Sequence, residues 1–305
     1  MLKRRLHQLK TRAWSGGSSG SDEPWKAYSA VVGPPPSRPM GVKMNQEKTF
    51  DTGRVKLNYL DCSGGPAAPL IMLHGGAWSW QEFLSLIPSL SQERRVCALD
   101  LRGNGQSGWA ERYHLQDFAE DATEFVRHLD GPVTLMGHSL GGAAALLAAA
   151  RYPERVKALL IEDIPLTLNN YKLIVDSCRE MFHVWLDLKK SAHSEQELSL
   201  ALAKEYKNYP GVTSTWTLYF AECLWRLDPN FFNALIYDFA GFAGDYDAGM
   251  FLSKIKCPVL FITGDKELGA VMKDDEISWL QKNFVNVTCV RIKNVGHLLH
   301  LESQG

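Results

Sequence analysis

Short apolar runs alternate with longer helical patterns from Val55 onward, and this alternation constrains the fold more than any other feature. Such a chain joins parallel strands through crossover helices. Several runs are apolar throughout, as strands covered on both faces should be. The sequence therefore predicts an α/β fold with a doubly wound, mostly parallel sheet. The predicted strands are 55–60, 70–73, 96–99, 133–136, 158–161, 259–263 and 287–292, and the predicted helices are 80–90, 115–129, 140–151 and 275–283.

The alternation stops after Leu166 and resumes near Lys254. Helix-length patterns rich in large aromatic residues fill this interval, which we interpret as a helical insertion lying over the sheet. Most of its aromatic side chains should form the insertion's own core, and a few should line a pocket beneath it. The predicted divisions are a tail at 1–45, the first part of the α/β core at 46–165, the insertion at 166–254 and the second part of the core at 255–305.

The first 40 residues cannot build a core. They carry five basic residues before any acid, then a Ser/Gly stretch, then Pro34, Pro35 and Pro36. A disordered tail is the simplest interpretation, and an organelle transit segment is the alternative. Met40 and Met44 also offer later start sites.

Charge and cysteine content indicate the cell compartment and the class of binding partner. The chain has 33 Lys and Arg against 34 Asp and Glu, and this near-zero net charge does not favour binding to nucleic acid. Its six cysteines form no CxxC pair, which favours reduced thiols and no metal. No apolar run approaches the ~20 residues of a membrane span. We expect a cytoplasmic protein, or an organelle-lumen protein if the tail is a transit segment. Its expected partner is a small-molecule substrate. No sequence pattern indicates its oligomeric state.

The strongest chemical signal is the pentapeptide at 137–141, Gly-His-Ser-Leu-Gly. It follows a predicted strand and precedes a predicted helix, and a turn this sharp needs small flanking residues. The turn presents the Ser139 hydroxyl at a helix N-terminus, where N–H groups favour developing negative charge. Ser139 is the predicted nucleophile, and the neighbouring His138 is predicted to contact substrate.

A second Gly-rich segment, 74–78, follows the predicted strand 70–73. Acyl transfer needs two convergent N–H donors for the oxyanion of the tetrahedral intermediate. Gly76 is expected to supply one donor and Leu140 the other. The side chain of Trp78, at the end of this segment, is predicted to contact substrate.

His297 follows the last predicted strand and is the predicted general base. A serine hydroxyl needs a neutral imidazole to take its proton, and His297 stands after the nucleophile in chain order. His300 is a less favoured substitute. The acid that should orient the imidazole is less clearly marked.

Two carboxylates compete on the loop after the predicted strand 259–263, Asp265 and Glu267. Either could hold the second nitrogen of His297. Asp265 is favoured because a short acid beside a strand end is rigidly placed. Glu162 and Asp163, which end an earlier predicted strand, remain further candidates.

Together these residues resemble the α/β-hydrolase superfamily over about residues 50–302. Residues 100–107 look like its D-x-R-G-x-G-x-S turn, with Asn104 where His is usual, and the resemblance implies a structural role for this turn. It also implies that the insertion is a cap and that the site lies between cap and sheet. Serine at position 139 is unlike the elbow Asp of haloalkane dehalogenases and epoxide hydrolases.

The chain departs from the superfamily in two further ways. The usual register of the acid points to Glu267 rather than Asp265. The usual C-terminal helix after the base is not evident before Gly305, which predicts either marginal stability from exposed apolar sheet surface or a truncated gene model.

The sequence therefore predicts a carboxylesterase-like serine hydrolase that needs no cofactor. It should cleave an ester, thioester, lactone or carbon–carbon bond of a small, largely apolar substrate. The alternatives are a cofactor-independent lyase and a receptor-type protein that binds a ligand in the same pocket. The sequence does not fix the substrate.

Overall fold

The computed structural model describes residues 47–207 and 214–302. Within them, strands and helices alternate as the sequence predicts. The predicted tail at 1–45 lies outside the described residues. The strands are β1 (Glu47–Asp51), β2 (Lys56–Leu73), β3 (Arg94–Leu99), β4 (Val133–His138), β5 (Val156–Glu162), β6 (Val259–Thr263) and β7 (Val287–Arg291).

These strands form one sheet in the order β1-β2-β4-β5-β6-β7, with β3 paired to β2. Strands β4 to β7 are parallel to their neighbours, and β1 is antiparallel to β2. The predicted strands 55–60 and 70–73 are two halves of the long, irregular β2. Its last four residues pair in parallel with β3, and Tyr59 to Cys62 meet the same β3 residues in reverse order. The mostly parallel, doubly wound sheet is confirmed.

Helices cover both faces of the sheet. Alternate residues of β2 show this, because Ile71 and Leu73 belong to one apolar cluster while Leu70 and Met72 belong to another. The core helices are α1 (Ile87–Glu93), α2 (Leu115–His128), α3 (Leu140–Arg151), α10 (Asp274–Asn283) and the short α11 (Leu299–Glu302), and the predicted helix 80–90 is in fact a 3-10 helix (Trp80–Phe83) followed by α1. Because both faces of the sheet are covered, the central strands are largely apolar.

The described residues between β5 and β6 form helices joined by short loops. Its helices are α4 (Leu168–Ser191), α5 (Glu195–Glu205), α6 (Ser214–Arg226), α7 (Pro229–Tyr237), α8 (Phe239–Ala243) and α9 (Ala248–Leu252). These helices lie within residues 166–254, which keep the name insertion. Its aromatic side chains pack mainly on one another, as Trp185 does on Phe220 with ring centroids 4.7 Å apart.

Five of the six cysteines are buried, as predicted, and Cys289 is half-buried. Among the residues that the structure describes, no helix is both long enough and apolar enough to cross a membrane.

Candidate active site

The turn between β4 and α3 is as tight as the sequence predicts. A Cβ at Gly137 would lie 2.3 Å from the Gly141 carbonyl oxygen, and one at Gly141 would lie 2.1 Å from the Leu73 carbonyl oxygen. Ser139 between them has φ 50° and ψ −116°, a conformation that is costly for a residue with a side chain. The glycines therefore make room for a strained Ser139 at the first turn of α3.

Backbone hydrogen bonds tie this turn to its neighbours. The Ser139 N–H donates to the Glu162 carbonyl at the end of β5, at 2.9 Å. The Gly141 N–H donates to the His74 carbonyl at 3.1 Å, and this bond holds the Gly-rich loop 74–78 beside the turn 137–141. Three strand ends thus meet at Ser139.

The loop at 74–78 carries the predicted oxyanion donor. Ala77 has a positive φ of 66°, and its N–H donates to the Asn104 side-chain oxygen at 3.1 Å. A Cβ at Gly76 would lie 3.8 Å from Leu140 Cδ2, so the two predicted donors are neighbours. Over the described chain, neither the Gly76 nor the Leu140 N–H donates a hydrogen bond to another residue. Both are thus available to an oxyanion.

His297 lies at the carboxyl ends of the central strands, on the same side as Ser139. The carbonyl of His297 accepts a hydrogen bond from the ring of His138, the residue before Ser139, at 3.0 Å. The imidazole of His297 is 3% exposed, and burial lowers its pKa below the ordinary value. It is consequently neutral at neutral pH, as a general base must be.

The carboxylate that meets His297 is that of Asp163, with 2.6 Å between His297 Nδ1 and Asp163 Oδ2. Asp163 is fully buried and has a positive φ of 44°. The same carboxylate accepts hydrogen bonds from Thr263 Oγ1 and from two backbone N–H groups, those of Val271 and Met272. Together with the His297 ring, these donors hold the carboxylate firmly in place.

The favoured prediction for this acid, Asp265, does not match the geometry. Asp265 Oδ2 accepts from the Asn294 backbone N–H at 2.6 Å, and so the carboxylate caps the loop that leads to His297. The alternative, Glu267, is exposed on the 3-10 helix Lys266–Leu268. Strand pairing explains the outcome: His138 of β4 pairs with Glu162 of β5, so the next residues, Ser139 and Asp163, leave adjacent strands at the same level.

The two predicted substrate contacts have other surroundings. The buried His138 ring bonds to the Glu82 carboxylate at 2.8 Å and to the His297 carbonyl, so both of its nitrogens are engaged within the protein. Trp78 is also buried, and stacks on Tyr219 of the insertion with centroids 5.6 Å apart. His138 thus connects Glu82 to the backbone of His297, and Trp78 packs against the insertion.

His300, the less favoured base, is also engaged elsewhere. Its Nδ1 lies 2.7 Å from Glu162 Oε1, and its backbone N–H donates to the same oxygen. Burial by itself would raise the pKa of Glu162, but the charge of His300 and its hydrogen bond lower it. This pair anchors the short helix α11 under the site.

Glu82 is the site residue that the sequence analysis missed. It lies in the 3-10 helix Trp80–Phe83 and is fully buried. Glu82 is the one charged residue of the predicted helix 80–90 and stands shortly after the Gly-rich loop. An acid is seldom buried without a partner, so this residue was the available signal.

The D-x-R-G-x-G-x-S-like turn is structural. Asp100 Oδ1 accepts from the Trp80 N–H at 2.8 Å, and Arg102 forms two hydrogen bonds to Asp121 at 2.6 and 2.7 Å. The first contact ties this turn to the 3-10 helix that follows the Gly-rich loop, and the second ties it to α2.

Comparison with known proteins agrees with this geometry. The sequence profile of a family described as "alpha/beta hydrolase fold" matches residues 68–304. The sn-1-specific diacylglycerol lipase ABHD11 of Danio rerio is 25% identical over 248 residues, 78% of this chain and 75% of the lipase.

Two further matches show the spread of related proteins. A dihydrolipoyllysine-residue acetyltransferase component of an acetoin-cleaving system, from Pseudomonas putida, is 37% identical over 111 residues, which is 36% of this chain and only 30% of that protein. The structure of a thermophilic esterase from Thermogutta terrifontis superposes with a TM-score of 0.60 over 85% of this chain and 93% of that one, at 21% identity. The esterase shows the fold alone. With its profile match over residues 68–304 and its mostly parallel sheet, the chain belongs to the α/β-hydrolase family.

Proposed function

We propose that this protein is a serine hydrolase with Ser139 as nucleophile, His297 as general base and Asp163 as the acid that orients it. The observation that carries the proposal is the buried 2.6 Å contact between His297 and Asp163, at the strand ends from which Ser139 projects. A buried carboxylate at Nδ1 favours the tautomer in which Nδ1 carries the proton and Nε2 accepts one.

The mechanism follows from these positions. Nε2 of His297 takes the Ser139 proton as the hydroxyl attacks an acyl carbonyl, and Asp163 stabilises the resulting imidazolium. The N–H groups of Gly76 and Leu140 hold the oxyanion, and the N-terminus of α3 adds to the favourable field. The imidazolium then protonates the leaving group, and water activated by the same imidazole releases the acid.

The insertion supports an apolar substrate. A Cβ at Gly76 would lie only 3.1 Å from Cζ of Phe231, so an aromatic ring from α7 covers the proposed oxyanion site. Trp78 meets Tyr219 and Phe220 of α6 beside it. We infer that residues 166–254 act as a cap and that the acyl group of an ester, thioester or lactone lies against these rings. Carbon–carbon bond hydrolysis by the same residues is the other reaction of this class.

A fluorophosphonate probe tests the proposal directly. We expect labelling of the wild-type protein and none of the Ser139→Ala variant, and hydrolysis of p-nitrophenyl esters of graded chain length should show the same dependence. Ser89→Ala, which removes an exposed hydroxyl from α1, is the matched control. Labelling that persists in Ser139→Ala would contradict the assignment.

A further inference from the structure

Glu82 joins three parts of the proposed active site, although it lies beneath them. Its Oε2 accepts the Gly75 N–H at 2.8 Å, next to the oxyanion donor Gly76. Its Oε1 lies 2.8 Å from Nδ1 of His138, the residue before the nucleophile. The other nitrogen of His138 bonds to the His297 carbonyl at 3.0 Å. One carboxylate thus connects the Gly-rich loop 74–78, the turn 137–141 and, through His138, the loop that carries His297.

The hydrogen bonds also fix the charge of His138. A neutral imidazole has one N–H, but both ring nitrogens of His138 face acceptors, a carboxylate and a backbone carbonyl. When the Glu82 carboxylate is ionised, both partners are acceptors, and only the doubly protonated imidazolium satisfies both. Burial would lower the pKa of His138, yet the charge and hydrogen bond of Glu82 raise it to about 9. Burial would raise the pKa of Glu82, yet His138 lowers it to about 2.

We propose that Glu82 and His138 are positioning residues, a buried ion pair that holds the Gly-rich loop 74–78 and the His297 backbone in register with Ser139 and keeps a fixed positive charge beside the base. The inference rests on the proposed function for its catalytic consequences. The ion pair itself follows from the contacts alone.

The fixed charge lies close to the ring that it affects. The centroids of the His138 and His297 rings are 4.7 Å apart, whereas Glu82 bonds to the far side of His138. A second positive charge on His297 is therefore disfavoured, and His297 stays neutral to lower pH. Burial is the largest cause of its lowered pKa, and the charge of His138 acts in the same direction, while Asp163 and Glu162 oppose it.

Other ionisable groups also face the pair. His300 Nε2 lies 3.8 Å from Glu82 Oε1, and Glu162 binds the other side of the His300 ring. The charges of His74 and Glu302 act on Glu82 and on His138 in the same buried region, and burial raises the pKa of Glu302. The pair is therefore one part of a buried network, and its test must change the charge without removing the hydrogen bonds.

Glu82→Gln makes this separation. The glutamine oxygen can accept from Gly75, and its amide can donate to Nδ1 of a neutral His138, whose remaining N–H still reaches the His297 carbonyl. We expect the acidic limb of the kcat/KM profile for a p-nitrophenyl ester to move upward by on the order of one pH unit, because the charge beside His297 is gone. The plateau kcat should stay within about threefold of wild type, since one retained hydrogen-bond network holds the geometry. Glu82→Ala, which also breaks the bonds, should lower the plateau kcat itself.

The control is Glu124→Gln, which neutralises an exposed acid of α2 paired with Arg127. Its acidic limb should coincide with that of wild type. An acidic limb that is the same in wild type and Glu82→Gln would overturn the proposed role of the fixed charge.

Histidine ring ¹⁵N spectra of the wild-type protein test the ion pair without any substrate. At pH 7.5 we expect both nitrogens of His138 to be protonated, with the signal assigned by its loss in His138→Gln. A neutral His138 would overturn the ion pair even if the enzyme is active. A cationic His138 in a protein that hydrolyses no ester would support the pair and count against the proposed function instead.

Discussion

The Asp163 carboxylate and the His297 imidazole lie 2.6 Å apart, oxygen to Nδ1, in a region closed to solvent. Their strands are not neighbours in sequence, and 134 residues separate them. The contact defines which nitrogen of His297 is left for proton transfer, and it supports the choice of acid in the proposed triad.

Replacing Asp163 should damage catalysis far more than replacing Asp265. Asp163→Asn keeps the size of the side chain but favours the wrong tautomer of His297, so we expect kcat to fall by about 10³–10⁴-fold. Asp265→Asn keeps an oxygen for the Asn294 N–H and should change kcat by less than about threefold, because it alters one exposed hydrogen bond. Ester hydrolysis by the two variants measures the difference. Equal losses, or a larger loss in Asp265→Asn, would contradict the assignment of the acid.

Asn104 should affect kcat through its contact with the Gly-rich loop 74–78. It is buried, and its oxygen accepts the Ala77 N–H beside Gly76. Asn104→Ala leaves that N–H without its acceptor and frees a loop with a positive φ, so we expect kcat to fall by about 10- to 100-fold with a small change in KM. Asn283→Ala, which removes an exposed hydrogen bond to Trp279, is the control. An unchanged kcat in Asn104→Ala would show that the loop does not depend on this contact.

Phe231 should limit the size of the acyl group. Its ring covers Gly76 at 3.1 Å from a Cβ position there. Phe231→Leu opens this space, so the ratio of kcat/KM for long-chain over short-chain esters should rise. Phe242→Leu, which shortens a buried ring packed on Phe231 at a centroid distance of 6.4 Å, controls for a loosened insertion. The same ratio in wild type and Phe231→Leu would place the acyl group elsewhere.

The Glu82–His138 pair should give stability a characteristic pH dependence. The pKa of His138 is raised from 6.5 to about 9, so its contribution is complete below pH 6.5 and is lost as pH rises through about 9. The pKa of Glu82 is lowered from 4.5 to about 2, so its contribution is complete above pH 4.5 and is lost as pH falls through about 2.

Urea unfolding at pH 6 and pH 9 measures this dependence. The free energy of unfolding should fall more between these pH values in wild type than in Glu82→Gln, where the pair has no charge to lose. The surface variant Glu124→Gln should behave like wild type. Parallel curves for wild type and Glu82→Gln would contradict a buried ion pair.

Much of the fold was readable in the sequence because its signals are local. The runs 133–136 and 259–263 are apolar except for one threonine each, and β4 and β6 include them. The nucleophile turn was equally clear, since Gly137 and Gly141 stand where any Cβ would meet backbone atoms. β1 was missed because its five residues are mostly exposed and polar, and its place in the sheet depends on pairing with β2.

The acid and Glu82 were harder to predict because both depend on which strands lie side by side. Chain order alone favours an acid shortly before His297, but strand pairing puts Asp163 level with Ser139. Glu82 becomes understandable only when the His138 ring is known to point toward it. His138 was for the same reason predicted as a substrate contact, although both of its nitrogens are bound within the protein.

The most direct test of the central claim is to locate the acyl group of a trapped acyl-enzyme by peptide mapping after rapid acid quenching with a p-nitrophenyl ester. We predict an acyl group on Ser139, formed in wild type and much more slowly in Asp163→Asn. An acyl group on another residue, or hydrolysis at the wild-type rate by Ser139→Ala, would contradict it.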